Sequence, residues 1–191
     1  MPPKRSKSLQ VGEIENLLQE LGQEITACGF TTPIRIMLLG GAYMLLTIGN
    51  RPTTTDIDLF PLNFEAISGS NQTTSMIFQA IASIANRHEL RDDWCNFEVG
   101  KIAGWKIGAV KNPIFWQKYG VLEVFLPPAD FMLAAKIFSY RDKDLPDVLA
   151  LIDRLQVKTR VQAQVLLDQY IDQAAQQERQ TDIALDELFD E

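Results

Sequence analysis

Residues 34–60 read IRIMLLGGAYMLLTIGNRPTTTDIDLF, and the predicted fold depends on this stretch. Its first six residues are apolar except for one arginine, which predicts a buried strand. Gly40 and Gly41 follow directly, and the apolar residues after them predict a short helix over 41–49. Two glycines at a turn between a strand and a helix let the backbone approach another group closely. Because the amino terminus of a helix favours negative charge, this turn is suited to holding a phosphate group.

Fourteen residues separate Gly41 from Asp56-Ile57-Asp58, which opens a second predicted strand over 56–60. Side chains two positions apart on a strand point to one face, which puts the two carboxylates roughly 6–7 Å apart. At an effective dielectric constant of about 20 they would repel each other by about 2–3 kcal/mol. A Mg²⁺ or Mn²⁺ ion would relieve this repulsion, since it prefers oxygen ligands. We therefore expect Asp56 and Asp58 to be metal ligands; the alternative is that they only close the turn before the strand.

The polar turn over 50–55 adds candidate phosphate ligands. Arg51 carries a guanidinium fork that suits phosphate oxygens, and Thr54 and Thr55 carry hydroxyl groups. The spacing to the aspartates leaves open which threonine takes part.

Composition places the chain among ordinary globular proteins. Of its 191 residues, 46% are hydrophobic and 23% charged. No apolar run approaches the roughly 20 residues of a membrane span, and no apolar segment follows the basic amino terminus as it would in a signal peptide. Cys28 and Cys95 are too few for a disulfide framework or a zinc site. We therefore expect a reduced, cytoplasmic setting and no membrane partner.

The net charge of −7 argues against a protein that holds long nucleic acid non-specifically, since such proteins are basic on at least one face. A nucleic-acid substrate would have to meet a local basic patch.

Periodicity in the remaining sequence predicts a mixed α/β fold, with a mixed sheet flanked by helices and a helical carboxy-terminal part. Two further helices are predicted over 10–28 and 73–87, and further strands over 96–101, 105–110 and 121–126. From Ala129 the pattern is helical, with breaks near 141–146 and 156–159. The expected organisation is a flexible basic tail, a core, and a helical region packed on the core with an acidic tail, over 1–9, 10–128 and 129–191.

The Gly-Gly turn, the loop with Arg and Thr, and the Asp-Ile-Asp strand together resemble the polymerase-beta-like nucleotidyltransferase superfamily. Three later segments resemble the branch that contains AbiEii-type toxins of bacterial toxin–antitoxin systems, or a relative of that branch: Leu126-Pro127-Pro128-Ala129-Asp130, Ala135-Lys136-Ile137 and Arg141-Asp142-Lys143-Asp144-Leu145-Pro146-Asp147. The resemblance covers roughly residues 34–154.

This resemblance implies a nucleotidyltransferase that moves a nucleoside monophosphate from an NTP to an acceptor hydroxyl, on a tRNA 3′ end or a protein. It also implies an antitoxin partner. Lys136 would clamp the triphosphate, and Arg141, Asp144 and Asp147 would border the active site. The alternatives are that Lys136 extends its ammonium group to water and that Asp144 caps a helix that starts near Pro146.

A third carboxylate on a neighbouring strand is a further expectation of the resemblance. Glu123 is the first candidate and Glu98 its rival; either could instead be an ordinary strand residue that faces solvent. Without turnover, the same fold would be a nucleotide-binding or protein-interaction module. The tail over 181–191 alternates acidic and apolar residues and is a candidate docking segment for a partner or for a homodimer formed through the carboxy-terminal helices.

Overall fold

A computed structural model of the protein describes residues 7–63, 71–98, 105, 106 and 110–189. The chain divides into two compact units, each made of two segments. The first unit comprises Met1–Lys101 and Ile114–Leu126, and the second comprises Ile102–Pro113 and Pro127–Glu191. Residues 102–113, which the sequence pattern groups with the core, thus cluster with the helical part.

The first unit contains a five-stranded mixed sheet among the residues described. Its strands are β1 (Ile34–Leu39), β2 (Ile57–Pro61), β3 (Cys95–Asn96), β4 (Ile114–Tyr119) and β5 (Leu122–Leu126), in the spatial order β3-β2-β1-β5-β4. The central strand β1 is antiparallel to β2 and parallel to β5. At the edges, β3 is parallel to β2 and β4 is antiparallel to β5. The predicted class, a mixed sheet flanked by helices, is confirmed.

Three helical segments accompany the sheet among the described residues of the first unit. They are α1 (Val11–Ala27), α2 (Gly40–Tyr43), which continues as a π-helical turn (Met44–Ile48), and α3 (Asn71–Arg87). The predicted helices at 10–28, 41–49 and 73–87 therefore exist. Helix α1 packs closely on β4, because a Cβ on Gly22 would lie only 2.8 Å from Tyr119 Cβ and closer still to the Tyr119 carbonyl.

One face of the sheet forms the core of this unit. Four apolar side chains on this face are each at most 1% exposed: Ile36, Leu38, Leu59 and Val124. The opposite face carries Asp58, so the core positions this strand and its carboxylate together.

The edge strands differ from the prediction. Strand β4 lies at Ile114–Tyr119, whereas the sequence pattern placed a strand at 105–110. Ile114 and Phe115 are more than half exposed, so this edge strand lacks the alternation by which strands are predicted. Of the predicted strand, Trp105 forms only an isolated bridge with Ile171, and residues 107–109 lie outside the described residues. Strand β3 (Cys95–Asn96) overlaps the predicted 96–101 strand at Asn96, and residues 99–101 lie outside the described residues.

The amino-terminal segment is anchored at Leu9, although the sequence predicts a flexible tail over 1–9. Leu9 is 1% exposed, and its backbone pairs with Thr54 through hydrogen bonds of 2.7 and 3.0 Å. Residues 1–6 lie outside the described residues.

Where the structure describes it, the second unit is mainly helical, with a bridge at Trp105. Its helices are α4 (Ala129–Ser139), α5 (Leu145–Leu155), α6 (Arg160–Tyr170), α7 (Gln173–Glu178) and α8 (Thr181–Phe189), with a 3₁₀ turn (Asp142–Asp144) before α5. Helix α4 packs against α5 and α6, and its residues from Phe131 to Phe138 are all buried. The predicted breaks match the gaps on either side of α5.

Of the acidic tail predicted as a docking segment, Thr181–Phe189 form helix α8. Ala184 and Leu185 of this helix are buried, whereas Ile183 is 49% exposed. Some of the apolar side chains of the tail are thus buried within the second unit. In the described part of the chain, no helix has both the length and the apolar content needed to cross a membrane.

Candidate active site

The first contact in the candidate site joins Gly40 to Asp58. Asp58 lies opposite Leu39 in the antiparallel pair of β1 and β2, so its carboxylate reaches the turn that follows β1. A Cβ on Gly40 would lie 3.0 Å from Asp58 Cγ and closer still to Oδ2, too close for any side chain. Gly40 also has a φ of +61°, which disfavours other residues. Residue 40 must therefore be glycine for Asp58 to occupy this position.

Gly41 makes the equivalent contact with the turn before β2. A Cβ there would lie 2.7 Å from Arg51 Nη1 and would collide with Thr54 Oγ1. The Thr54 hydroxyl lies 3.2 Å from the backbone oxygen of Asp56 and 3.4 Å from its Oδ1, so it can donate to either. Gly40 thus lies against Asp58, and Gly41 lies against Thr54 and Arg51.

Thr54 is the threonine that the structure places at this turn. It is 5% exposed, whereas Thr55 is exposed. The two backbone hydrogen bonds from Leu9 hold Thr54 from the far side. This support from the amino-terminal segment cannot be predicted from the local sequence, because 44 residues lie between Leu9 and Thr54.

The Asp56 and Asp58 side chains are both half-buried. Each is therefore partly shielded from water. The group offers two carboxylates and a hydroxyl, which are hard oxygen donors of the kind that Mg²⁺ and Mn²⁺ prefer. The residues present fit such an ion, with phosphate or water oxygens as the other ligands.

Asn96 is a site residue that the sequence interpretation missed. It lies on β3 in register with Asp58, and its Nδ2 donates to Asp58 Oδ1 at 3.1 Å. A two-residue strand has no periodicity, so no local signal predicts this register. The nearest clue is that a polar residue follows the buried Trp94 and Cys95.

Glu123 does not join the pair of aspartates. It lies in register with Arg35, whereas Asp58 lies in register with Leu39, four residues further along β1. At the rise of a strand this separation is about 13 Å, so the two carboxylates cannot share a cation. Burial opposes ionisation of Glu123, but hydrogen bonds from Lys118 and Arg35 prevail and hold its pKa below the usual value.

Glu98 is not brought into the group either. Its side chain is exposed, and its backbone N–H donates to Asn96 Oδ1 at 3.0 Å. Among the residues that the structure describes, no set of three or more Asp, Glu, His or Cys side chains could hold a metal ion. Within the described part of the chain, the site therefore has two carboxylates and no third.

The other predicted site residues form a cluster within the second unit. Lys136 Nζ lies 2.6 Å from Asp144 Oδ1 and 2.8 Å from Asp147 Oδ2. The three side chains are 5%, 3% and 0% exposed. Arg141 Nε lies 2.6 Å from Asp144 Oδ2 and is largely exposed. Two cations and two anions thus form a compact network with no net charge.

These contacts argue against both alternative roles, an ammonium group in water for Lys136 and a capping side chain for Asp144. Lys136 does not extend its ammonium group to water, because buried carboxylates surround it. Asp144 occupies the position before α5, yet its side chain makes no capping hydrogen bond. It accepts from Lys136 and Arg141 instead. Burial opposes ionisation of Asp144, but these two hydrogen bonds outweigh it and lower its pKa.

No model of a known protein family matches the chain, and no match was found among curated proteins or solved structures. The likeness to nucleotidyltransferases stays a prediction from the residues.

Proposed function

We propose that the protein is a metal-dependent nucleotidyltransferase that moves a nucleoside monophosphate from an NTP to an acceptor hydroxyl. The observation that carries this proposal is the convergence of the Gly40–Gly41 turn on Asp58, Thr54 and Arg51. At one end of β1 and β2, the backbone of this turn lies close to two carboxylates, a hydroxyl and a guanidinium group. Nucleotide transfer needs these groups together, because its catalysis consists mainly of positioning and charge stabilisation.

The residues of the first unit would divide this work. Asp56 and Asp58 would hold a Mg²⁺ or Mn²⁺ ion, which when bound neutralises charge on the triphosphate and the departing pyrophosphate. Arg51 would place its positive charge beside phosphate oxygens. Thr54 would fix Asp56 by its hydrogen bond, and the absence of side chains at residues 40 and 41 would leave room for Asp58, Thr54 and Arg51 at the turn.

The acceptor in this proposal is a hydroxyl of a tRNA 3′ end or of a protein side chain. The net charge of −7 would not attract RNA over long distances, so an RNA acceptor would depend on local contacts. If tRNA is the acceptor, modification of its 3′ end would block translation, and the cell would need an antitoxin partner that covers the site.

Transfer of label tests the proposal directly. The protein would be incubated with each NTP labelled on its α-phosphate, with Mg²⁺, and with either tRNA or total cell protein. Asp58→Asn keeps the shape of the side chain and removes its charge. Asp153→Asn, on the exposed face of α5, is the matched control. We expect label in one acceptor and a loss of at least about 100-fold in Asp58→Asn alone, the scale of losing one electrostatic contact to a transition state.

The proposal fails if neither acceptor gains label, or if the label does not depend on Asp58. A nucleotide-binding module without turnover is then the second candidate. The ion pairs of Lys136 favour it, because a lysine held by two buried carboxylates is less available to a triphosphate. Calorimetric binding of NTP with Mg²⁺, without transfer of label, would identify such a module.

A further inference from the structure

We propose that one face of strands β1, β5 and β4 binds single-stranded nucleic acid, with a base stacked on Phe115 and phosphates beside Arg35 and Lys118. All three residues belong to the first unit. The proposal goes beyond the transfer activity, because binding at this surface would need neither the metal ion nor the NTP.

The aromatic part of the surface is a pair of phenylalanines on neighbouring strands. Phe115 of β4 lies directly opposite Phe125 of β5, with ring centroids 5.7 Å apart and an interplanar angle of 76°. This edge-to-face contact steadies the Phe115 ring. Phe115 is nevertheless 54% exposed, whereas Phe125 is half-buried. An exposed ring held in place by a second ring is a platform on which a base can stack.

Two cations lie on the same face as this pair. Glu123 precedes Phe125 by two residues on β5, so its side chain points to the same face, roughly 6–7 Å further along the strand. It lies opposite Lys118 of β4 and opposite Arg35 of β1. Its carboxylate accepts from Lys118 Nζ at 3.2 Å and from Arg35 Nε at 3.1 Å. Glu123 thus holds both cations in one row across three strands.

The ion pairs leave both cations accessible to a phosphate. The side chains of Arg35 and Lys118 are 57% and 54% exposed. A guanidinium group carries five N–H donors and an ammonium group three, so each can bond a phosphate oxygen while it stays paired with Glu123. Two positive charges and one negative charge leave +1 for these three side chains, whereas the chain carries −7. A protein of that net charge needs such local cations to hold nucleic acid.

A single strand of nucleic acid suits this surface better than a second copy of the chain does. Planar bases alternate with phosphates along the strand, as the exposed ring and the cations do along β4. A two-fold pairing of copies through this face would instead bring the cations of one copy towards those of the other. A duplex would present its phosphates but keep its bases stacked inside, out of reach of Phe115.

The surface and the candidate site share a face of the sheet. Arg35 and Leu39 are four residues apart on β1, and Leu39 lies opposite Asp58. Nucleic acid bound at this surface would therefore favour nucleic acid over protein as the acceptor. That extension rests on the proposed function, whereas the binding itself does not.

Fluorescence anisotropy with a labelled oligouridylate tests the proposal, using the full-length protein in EDTA without NTP. A length of about 12 nucleotides lies within the range that single-strand binding folds cover. We expect saturable binding that Phe115→Ala weakens by about 5–100-fold, the scale of losing one stacked base. The same oligonucleotide in a duplex should bind more weakly than the single strand.

Phe78→Ala is the matched control for the aromatic contact. Phe78 is 51% exposed and forms an edge-to-face pair with Phe97 at 6.0 Å. Phe97 follows β3, at the other edge of the sheet from β4. The affinity of Phe78→Ala for the oligouridylate should equal that of the unaltered protein.

The salt dependence of binding tests the cations. Loss of one phosphate contact should reduce the slope of log affinity against log salt by about 0.7 for a single strand. We expect this reduction in Lys118→Met. Lys7→Met is the control, because Lys7 is also half exposed and paired with a glutamate, Glu13, at 3.0 Å. Its slope should not change.

The proposal is wrong if the oligouridylate does not bind at low salt, or if Phe115→Ala and Phe78→Ala bind it equally well. An unchanged slope in Lys118→Met would also overturn it, and this variant decides the question if Phe115→Ala does not fold by circular dichroism. If Phe115→Ala lowers the mass in sedimentation without weakening binding, the face is an interface between copies instead. Failure of the proposed function looks different: the oligouridylate binds, but no acceptor gains label.

Discussion

At the scale of single residues, the glycines and aspartates of the site depend on each other for space. Asp58 occupies the volume that a side chain on Gly40 would need, and Thr54 and Arg51 occupy the volume beside Gly41. The sequence predicts a phosphate close to the backbone of these glycines, but the protein's own polar side chains occupy the space beside them. A nucleotide would join a group that is packed in advance, which reduces the ordering that binding requires.

Replacement of Gly40 by alanine should therefore affect metal binding more than stability. The left-handed backbone should cost Gly40→Ala about 1–2 kcal/mol of unfolding free energy, and the collision should displace the Asp58 carboxylate. Gly49→Ala is the control, since Gly49 has a φ of +71° and no atom within 4 Å of an added Cβ. We expect similar losses of stability in chemical denaturation, but loss of Mn²⁺ binding only in Gly40→Ala. Equal Mn²⁺ affinities in the two variants would contradict the role given to this turn.

At the scale of elements, the buried ion pairs join the carboxy-terminal part of α4 to the start of α5. Asp147 lies in the first turn of α5 and Asp144 just before it, and both meet Lys136 of α4. Removal of one partner from a buried pair leaves the other charge uncompensated, which is more costly than the net worth of the pair.

Lys136→Met should therefore destabilise the protein by about 3–5 kcal/mol. Lys143→Met, the same change at an exposed position of the neighbouring 3₁₀ turn, should cost less than about 0.5 kcal/mol. Denaturant unfolding monitored by circular dichroism would measure both. A loss for Lys136→Met no larger than that for Lys143→Met would show that the network does not stabilise these helices.

The stability of this network should fall in acid. The pKa of Asp144 is lower in the folded protein than its ordinary value of 3.8, so its contribution is present above that pH. The stabilisation by ionised Asp144 is lost as the pH falls from 3.8 through the pKa of Asp144 in the folded protein, because the carboxylate then takes up a proton. Without Lys136, the Asp144 carboxylate loses a hydrogen bond that lowers its pKa. We therefore expect the stability difference between the unaltered protein and Lys136→Met to narrow in that range; a constant difference would argue against this linkage.

The backbone pairing of Leu9 with Thr54 joins the amino-terminal segment to the turn before β2. Deletion of residues 1–9 removes this pairing, whereas deletion of residues 1–6 retains it. The first deletion should speed hydrogen exchange at the Thr54 amide and weaken Mn²⁺ binding several-fold, because Thr54 supports Asp56. The second should change neither. Identical exchange at Thr54 in the two proteins would show that the segment does not hold the turn.

At the scale of the whole molecule, the long periodic segments could be predicted from the sequence and the pairings could not. Strand β1 and helices α1 and α3 have strong apolar patterns, so their existence follows from local composition. The proximity of the glycine turn to the aspartates also follows, because two strands joined by a short helix and turn pair readily.

The remaining features depend on contacts between distant parts of the chain. Asn96 reaches Asp58 only through the register of a two-residue strand, and Glu123 lies far from Asp58 because it pairs with Arg35. Strand β4 is exposed at the sheet edge and lacks a pattern. The grouping of residues 102–113 with the helices likewise involves partners such as Ile171, which no local signal identifies.

The central claim is that the Asp56–Asp58 pair and the glycine turn form one metal and nucleotide site. A crystal of the protein grown with Mn²⁺ and a non-hydrolysable NTP analogue tests it most directly, through anomalous scattering at the manganese edge. The account predicts an anomalous peak within ligand distance of both carboxylates, with the triphosphate along Gly40 and Gly41. A manganese ion elsewhere, or a nucleotide bound away from this turn, would contradict it.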